Sequence, residues 1–514
     1  MANLNVQVLE EIIWAPTPPL HPGMDFKDGI TYFTVPLKRR VIVPTKKKGE
    51  DAKVEAVDST YVITSEHEGI WYEDEALEDR GWSAKKAIYQ DDEQRWSNES
   101  VRAFLENKTK APSSQDLFKE IRGIYTKYVE FADEAFFDIM TLFVMYSYIY
   151  RLFKTTGYIH FNGTAASGKS RNLSILNALA FGAVWASSMS AASLYRRLDG
   201  SPGTTCIDES EGFEGERGED LRRILNAGYI EGATVQRTEK TTTNGQERWH
   251  PVKYEVFSPK VMASINPLEP VIASRCIVVA MRPAVRQLPD FRTYDKQWAP
   301  VRDRLYLWAM ENATAIEELN ETWDDTSENG VKAERAPRVI GRQWETTRQY
   351  IVLSDYIGGQ DMSDRMITFL NSYFKKQQEG MDATDRIRTS LRCLPRVLDT
   401  MTAYPGNMYS VKDIHEVISS YMETDSTEYF KTKHVTKNLD VLGFRQKIRA
   451  SGGLQIRLDE DAVRNEFAQR RVEPFEEDMA WLSGEVNYQG RATLFDGPTT
   501  TKEGDPEAPW WEQS

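Results

Sequence analysis

Residues 163–170 read Gly-Thr-Ala-Ala-Ser-Gly-Lys-Ser and match G-x-x-x-x-G-K-[ST] at every fixed position. No other stretch restricts the fold so tightly. Such a loop works only between a strand that delivers it and a helix whose N-terminus it feeds. Both flanks are present: Tyr158-Ile159-His160-Phe161 is a short apolar run, and RNLSILNALAF (171–181) has helical periodicity. Glycines let the backbone wrap a phosphate chain, while loop N–H groups and the helix dipole supply positive potential. Gly163, Thr164, Ala165, Ala166, Ser167, Gly168, Lys169 and Ser170 are therefore the candidate binding residues for ATP. Lys169 is expected to reach the β- and γ-phosphates and Ser170 to ligate Mg²⁺.

A phosphate loop needs a carboxylate on a neighbouring strand to hold the metal through water. Thr204-Thr205-Cys206-Ile207-Asp208-Glu209 is a strand-like run ending in two acids. Asp208 is the expected metal-side group, and Glu209 is placed to polarise an attacking water. Strands and helices alternate across 156–285, which predicts an α/β layer with a parallel sheet, the P-loop NTPase arrangement. A third strand, Val261–Ile265, ends in Asn266, which falls between the γ-phosphate and that water; otherwise Asn266-Pro267 only turns the chain.

The remaining chain is long. At ~150 residues per domain, 514 residues suggest about three domains. Hydrophobic residues at 40% and charged residues at 28% exclude a disordered chain. A net charge of −14 excludes a uniformly basic coat, though not a local basic track. Cys206, Cys276 and Cys393 lie far apart, so neither a disulfide framework nor a zinc ribbon is expected. The N-terminus lacks signal-peptide features. The apolar run 136–153 carries Asp138 and Arg151 and leads into the phosphate-loop strand, so it reads as a buried helix. No membrane is expected, and the location expected is cytoplasmic.

Along the chain, 1–96 reads as a β-rich module with strands at Ile30–Val35, Arg40–Val43, Thr60–Ser65 and Ile70–Tyr72, preceded by an irregular Pro-rich start. Its basic stretches, Lys38-Arg39-Arg40 and Lys46-Lys47-Lys48, sit on an edge or hairpin, as a solvated loop or a nucleic-acid contact. Residues 97–155 read as a helical collar, 156–290 as the ATPase core, 291–403 as a helical lid, 404–460 as a helix–helix–hairpin unit and 461–514 as an acidic, largely disordered tail. From residue 459 onward there are 14 acids against 5 bases, so this end carries −9 of the net −14.

Three stretches, SAASLYRRLDGSPGTTCIDESEGF (190–213), LRRILNAGYIEGATVQR (221–237) and FSPKVMASI with SRCIVVAMR (257–282), resemble the AAA+ ATPases of phage and plasmid replication proteins, similar to superfamily 3 and primase-associated helicases. The resemblance covers roughly 135–360. It implies a hexameric, DNA-translocating, ATP-hydrolysing ring. No primase pattern appears N-terminally. By this resemblance Asn266 takes the sensor-1 place. Arg275, just before the apolar strand Ile277–Ala280, would project into a neighbour's nucleotide; the alternative is a surface ion pair. Arg342, on the amphipathic helix 337–359, would close over the nucleotide as a sensor-2 arginine; the alternative is an ordinary exposed arginine.

The segments 234–237 and 252–256 flank a Thr-rich stretch holding Asn244-Gly245, a tight hairpin signal. In the helicases it resembles, such a hairpin lines the pore and grips single-stranded DNA. Its candidate contacts are Arg237, Lys240, Arg248, His250 and Lys253, with Trp249 able to stack on a base. A solvated hairpin is the alternative. In 404–460 two helices and a hairpin around Ser451-Gly452-Gly453 predict a winged helix. It carries Lys433, Lys437 and Lys447 among a dense basic set, which suits duplex DNA or a protein partner. The acidic tail, with Gln489–Asp496 and Pro509-Trp510-Trp511, is a candidate docking segment for a replication protein. The expected function is a Mg·ATP-dependent DNA helicase or translocase of a phage, virus or mobile element. The alternatives are a nucleotide-switched loader and a regulatory or defence ATPase.

Overall fold

In the computed structural model the residues described are 20–43, 53–72, 76–77, 80, 82, 95–186, 189–208, 215–243, 246–325, 327, 330–384, 386–421, 432–450, 453–470 and 472–485. The chain divides into two compact units, Met1–Asn371 and Ser372–Ser514.

The first unit begins with an antiparallel sheet in chain order: β1 (Met24–Lys27), β2 (Ile30–Val43), β3 (Lys53–Thr64) and β4 (Gly69–Trp71). Tyr32, Val62 and Ile70 close its core against Leu77 and Trp82. The sequence pattern splits β2 at Pro36, but the strand runs through. Pro36 lies beyond the end of β1, where one edge of β2 is open and proline is tolerated.

Three helices follow: α1 (Asn98–Leu105), α2 (Ser114–Tyr128) and α3 (Ala135–Ser147). Ser97 and Ser113 cap the first two by accepting the N–H groups of Ser100 and Asp116. The apolar helix α3 is buried from Ile139 to Ser147. Among the described residues no helix is long and apolar enough to cross a membrane.

Next come β5 (Tyr158–Gly163), α4 (Lys169–Leu179), β6 (Val184–Trp185), α5 (Ala191–Gly200), β7 (Thr205–Ile207), α6 (Gly215–Ala227), the hairpin β8 (Thr234–Thr243) and β9 (Gln246–Glu255), β10 (Lys260–Ser264), α7 (Pro270–Ala273) and β11 (Cys276–Met281). Five of these strands form one parallel sheet in the order β11-β5-β10-β7-β6. β10 is buried at every position, as befits a parallel strand covered on both faces. Because all the strands run one way, their C-terminal ends gather on one side, where α/β sheets bind ligands.

The unit closes with α8 (Ala299–Asp324), α9 (Val331–Arg335) and the part of α10 (Arg342–Thr384) up to Asn371, a helix bent at Gly359, whose φ is 65°. The start of α10 packs at the N-terminal end of β5. Thr155 Oγ1 donates to Glu345 O at 2.6 Å. At Gly157 an added Cβ would stand 2.0 Å from Thr346 O, so only glycine allows the approach.

The second unit holds α11 (Arg386–Thr400), β12 (Met408–Ser410), α12 (Val411–Tyr421), α13 (Thr432–Val441), β13 (Lys447–Ala450), β14 (Gly453–Arg457), α14 (Glu460–Arg470) and α15 (Met479–Leu482). Its sheet is antiparallel in the order β12-β14-β13. Leu394, Ile414, Leu439, Ile456, Phe467 and Trp481 share its core. Two boundaries drawn from sequence move. The helix 386–400, assigned to the lid, packs in this unit. Residues 461–482, assigned to the acidic tail, supply Val463, Phe467 and Trp481 to the core, and Trp481 Nε1 donates to Glu460 Oε1 at 2.5 Å. The candidate docking peptides at 489–496 and 509–511 lie outside the described residues.

Candidate active site

The loop 163–170 leaves β5 at the C-terminal side of the sheet and turns into α4. Gly168 stands at the N-cap with φ 88°, a left-handed conformation that suits glycine. Lys169 Nζ donates to the carbonyls of Gly163 at 2.6 Å and Thr164 at 2.8 Å, folding the side chain back across the loop. Ser170 Oγ donates to Asp208 Oδ2 at 3.2 Å. That bond joins the start of α4 to the end of β7, two strands away from β5 in the sheet. A hydroxyl and a carboxylate side by side form an all-oxygen donor pair, which fits a hard cation such as Mg²⁺. Glu209 lies outside the described residues.

β10 runs between β5 and β7, so Asn266, two residues past its end, falls between the loop and Asp208. Asn266 is exposed. Its turn is held from below: Ser264 Oγ donates to Asn266 O at 2.6 Å, and Asn162 Nδ2 donates to Ile265 O at 3.0 Å. Ser264 has spent its one proton, so the buried His160, 2.6 Å away, contributes Nε2–H to that hydroxyl. The sequence carries no motif that marks His160 or Ser264.

From the loop a cleft of 330 Å³ extends between Tyr128–Glu130 and Met281–Leu288. The Glu130 carboxylate accepts the N–H groups of Val285 and Arg286, both at 3.3 Å. Arg286 donates in return to the carbonyls of Val129, at 2.9 Å, and Thr126. This latch escaped sequence reasoning because its residues form no pattern.

Arg275 and Arg342 sit at the other end of the sheet. Arg275 O accepts Tyr158 N–H at 2.9 Å, which fixes it beside the first residue of β5. The strand's six residues at ~3.3 Å each separate that end from the loop by about 20 Å. The Arg342 guanidinium lies 4.6 Å from the centre of the Tyr229 ring, and that of Arg275 lies 4.7 Å from it. Arg342 therefore does not close over the nucleotide loop of its own chain, because α10 starts below the sheet rather than above it. The two arginines converge. Burial pushes the Arg275 pKa down, and the charge of Arg342 adds to that effect. Arg275 Nε and Arg342 Nη1 are buried without a hydrogen-bond partner among the described residues. Arg342 pairs with the acid Glu345 at 3.3 Å.

The hairpin β8–β9 has two unlike faces. Residues directly opposite each other share a face. Val235, Arg237 and Glu239 with Tyr254 and Val252 turn toward α5 and α6. There Arg237 donates to Asp220 at 2.9 Å beneath the Tyr195 ring, and Arg196 donates to Glu239 at 2.8 Å. The other face carries Gln236, Lys240, Trp249 and Lys253, and all four are exposed, Trp249 at 67%. The five cations named from sequence thus separate. Arg237 is engaged in holding the hairpin, while Lys240 and Lys253 are on the open face. His250, opposite Glu239, is exposed on the packed face's side. The Arg248 side chain and the turn at Asn244-Gly245 lie outside the described residues.

In the second unit Lys433 and Lys437 are exposed on α13, while Lys447 on β13 is paired with Asp440.

No family model and no curated protein sequence matches the chain. Among solved structures, a full-length MCM homolog from Methanopyrus kandleri is 11% identical, over 67% of this chain and 78% of that one, with a TM-score of 0.32. The C-terminal region of NrS-1, in its apo A form, is 11% identical over 61% of this chain and 89% of that one, with a TM-score of 0.26.

Proposed function

We propose that this chain is an ATP-dependent DNA helicase or translocase of a phage, virus or mobile element, working as a ring, in the simplest case a hexamer. The observation that carries the reading is the Ser170–Asp208 bond beside the folded Lys169, at the C-terminal side of a parallel sheet. Ser170 and Asp208 would hold Mg²⁺, which supplies charge neutralisation to the phosphates. Gly163–Ser170 wraps the phosphate chain, and Lys169 leaves its two carbonyls for the β- and γ-oxygens. Asn266 orients the attacking water, whose proton Glu209 accepts.

The position of Arg275 at the far end of the sheet favours service to a neighbouring subunit, where a guanidinium meets the charge of the transferred phosphoryl group. Arg342 lies beside it and works from the same side. The open hairpin face, with Lys240, Trp249 and Lys253, grips single-stranded DNA in the pore. The α12–α13 pair with the β13–β14 hairpin acts as a winged helix whose Lys433 and Lys437 meet duplex phosphates. The segment 486–514 is the proposed site for a replication partner.

The test of the nucleotide assignment is Lys169→Ala. ATP turnover should fall at least a hundredfold, and undiminished turnover would refute the site. A strand-displacement assay on forked DNA, with ring size measured alongside, separates a helicase from a loader.

A further inference from the structure

β2 and β3 are far longer than their neighbours. β1 covers β2 only from Ile30 to Phe33, and β4 covers β3 only from Tyr61 to Ile63. The eight pairs from Pro36↔Thr60 to Val43↔Lys53 therefore form a two-stranded ribbon, ~27 Å long, that pairs with no third strand among the described residues; only its root is touched, where Thr60 O accepts Tyr72 N–H and Arg39 lies over the Trp71 ring. The core of the sheet ends at its root, where Val35, Ser59 and Thr60 are the last buried residues. Beyond them Lys38, Arg40 and residues 53–57 are exposed, with Ile42 at 73% and Val54 at 67%.

A two-stranded ribbon is marginal alone in water. Exposed aliphatics at its outer half make it more so. Edge protection explains lysines and arginines along a free strand, but not an isoleucine and a valine presented together. Register places Lys38, Arg40 and Ile42 on one face with Val54, Ala56 and Asp58 opposite. Cations lie near the root and an apolar pair lies farther out. Arg39 and Lys53 add positive charge to the ribbon, against Glu55 and Asp58, in a chain whose net charge is −14.

We propose that the β2–β3 ribbon is a duplex-DNA contact of the N-terminal module, with Lys38 and Arg40 on phosphates and Ile42 and Val54 on base edges in the major groove. The B-form major groove admits a two-stranded ribbon, and thymine methyl groups present an apolar surface there. The deep, narrow major groove of A-form RNA does not admit one. An acidic peptide or free phosphate would satisfy the cations but leave the apolar pair in water; an anionic membrane surface would use both, and the vesicle arm of the test separates it from duplex DNA. The inference stands apart from the nucleotide site, because duplex binding is measured without ATP.

The experiment uses the full chain, a blunt duplex DNA, a duplex RNA of the same sequence, a single strand, and phosphatidylserine vesicles. Lys38→Ala/Arg40→Ala should weaken duplex DNA binding about tenfold and flatten the plot of log K against log salt by about 2, at ~0.9 per phosphate contact. Ile42→Ser/Val54→Ser should weaken duplex DNA binding without changing that slope. It should also erase any preference of duplex DNA over duplex RNA. Single-strand binding and ATP turnover should not change. Unchanged duplex affinity and slope in the first variant would overturn the proposal, as would an equal loss on single strands. Loss of vesicle binding with intact duplex binding overturns it in favour of a membrane surface. If the alanine pair melts early, Lys38→Gln/Arg40→Gln replaces it, and the same outcomes decide.

Discussion

Lys260, at the foot of β10, is a fully buried lysine that pairs with no carboxylate among the described residues. Its Nζ donates to the carbonyls of Val256 at 2.8 Å, Ser258 at 3.0 Å and Gly228 at 3.1 Å, and approaches Ser258 Oγ at 3.1 Å. Val256 directly follows β9, and Gly228 directly follows α6. One side chain therefore clasps the root of the hairpin to the strand that carries Asn266. Burial pushes the Lys260 pKa well below its ordinary value of 10.5. With the folded value depressed, the unfolded chain binds the proton across the window from that value up to 10.5 while the native chain does not. Stability attributable to this group therefore rises with pH through the window and is flat below it. Wild type measured against Lys260→Met should gain stability as the pH is raised from 8 toward 10. Urea unfolding at several pH values checks this, and a constant difference between the two proteins would show that Lys260 keeps an unshifted pKa. The variant should also loosen the hairpin, read as faster amide exchange in 234–255.

At the scale of elements, the proposed grip on DNA falls on the exposed face of the hairpin, while the packed face supports it. Trp249→Ala should weaken single-strand binding by ~1–3 kcal/mol, the usual worth of one stacked base, with little effect on melting. Arg237→Ala should do the reverse, lowering stability by less than about 1 kcal/mol through the Asp220 pair and leaving single-strand affinity near wild type. Equal loss of DNA binding in both variants would mean that the face assignment fails. Sequence reading reached the hairpin but not its faces, since those depend on α5 and α6 packing on one side only. The same limit recurs elsewhere. β5, β7, β10 and β11 are short strand-like runs, legible to within two residues at each end. The order β11-β5-β10-β7-β6 is written nowhere locally, because parallel neighbours are joined by long crossovers. The outer half of β3, KVEAVDS, is too polar to read as a strand. The segment 461–482 is so acidic that its helically spaced Val463 and Phe467, with Trp481, pass for tail. The start of α10 was legible as a helix. Which end of the sheet it meets was not, because that is set by the Gly157 approach to Thr346.

At the scale of the whole assembly, the proposed ring makes the Arg275–Tyr229–Arg342 cluster a test of which subunit would serve which nucleotide. Two guanidiniums within 4.7 Å of one ring centre belong to one surface, so both should act on the same neighbouring site. Mixed rings test this without a structure of the ring. Arg275→Ala subunits keep an intact phosphate loop, and Lys169→Ala subunits keep intact arginines. Their mixture should recover ATP turnover at interfaces where the second serves the first. Arg342→Ala mixed with Lys169→Ala should recover in the same way. The decisive mixture is Arg275→Ala with Arg342→Ala. If both arginines reach across the same interface, every interface in that mixture lacks one of them, and turnover stays at the level of the single variants. If Arg342 instead served its own chain's nucleotide, an Arg275→Ala subunit would keep Arg342 and receive Arg275 from its neighbour, and turnover would recover. Recovery in this third mixture would therefore return Arg342 to the site above the sheet, against its place beside Tyr229. Its absence, together with recovery in the first two, would put both arginines in trans.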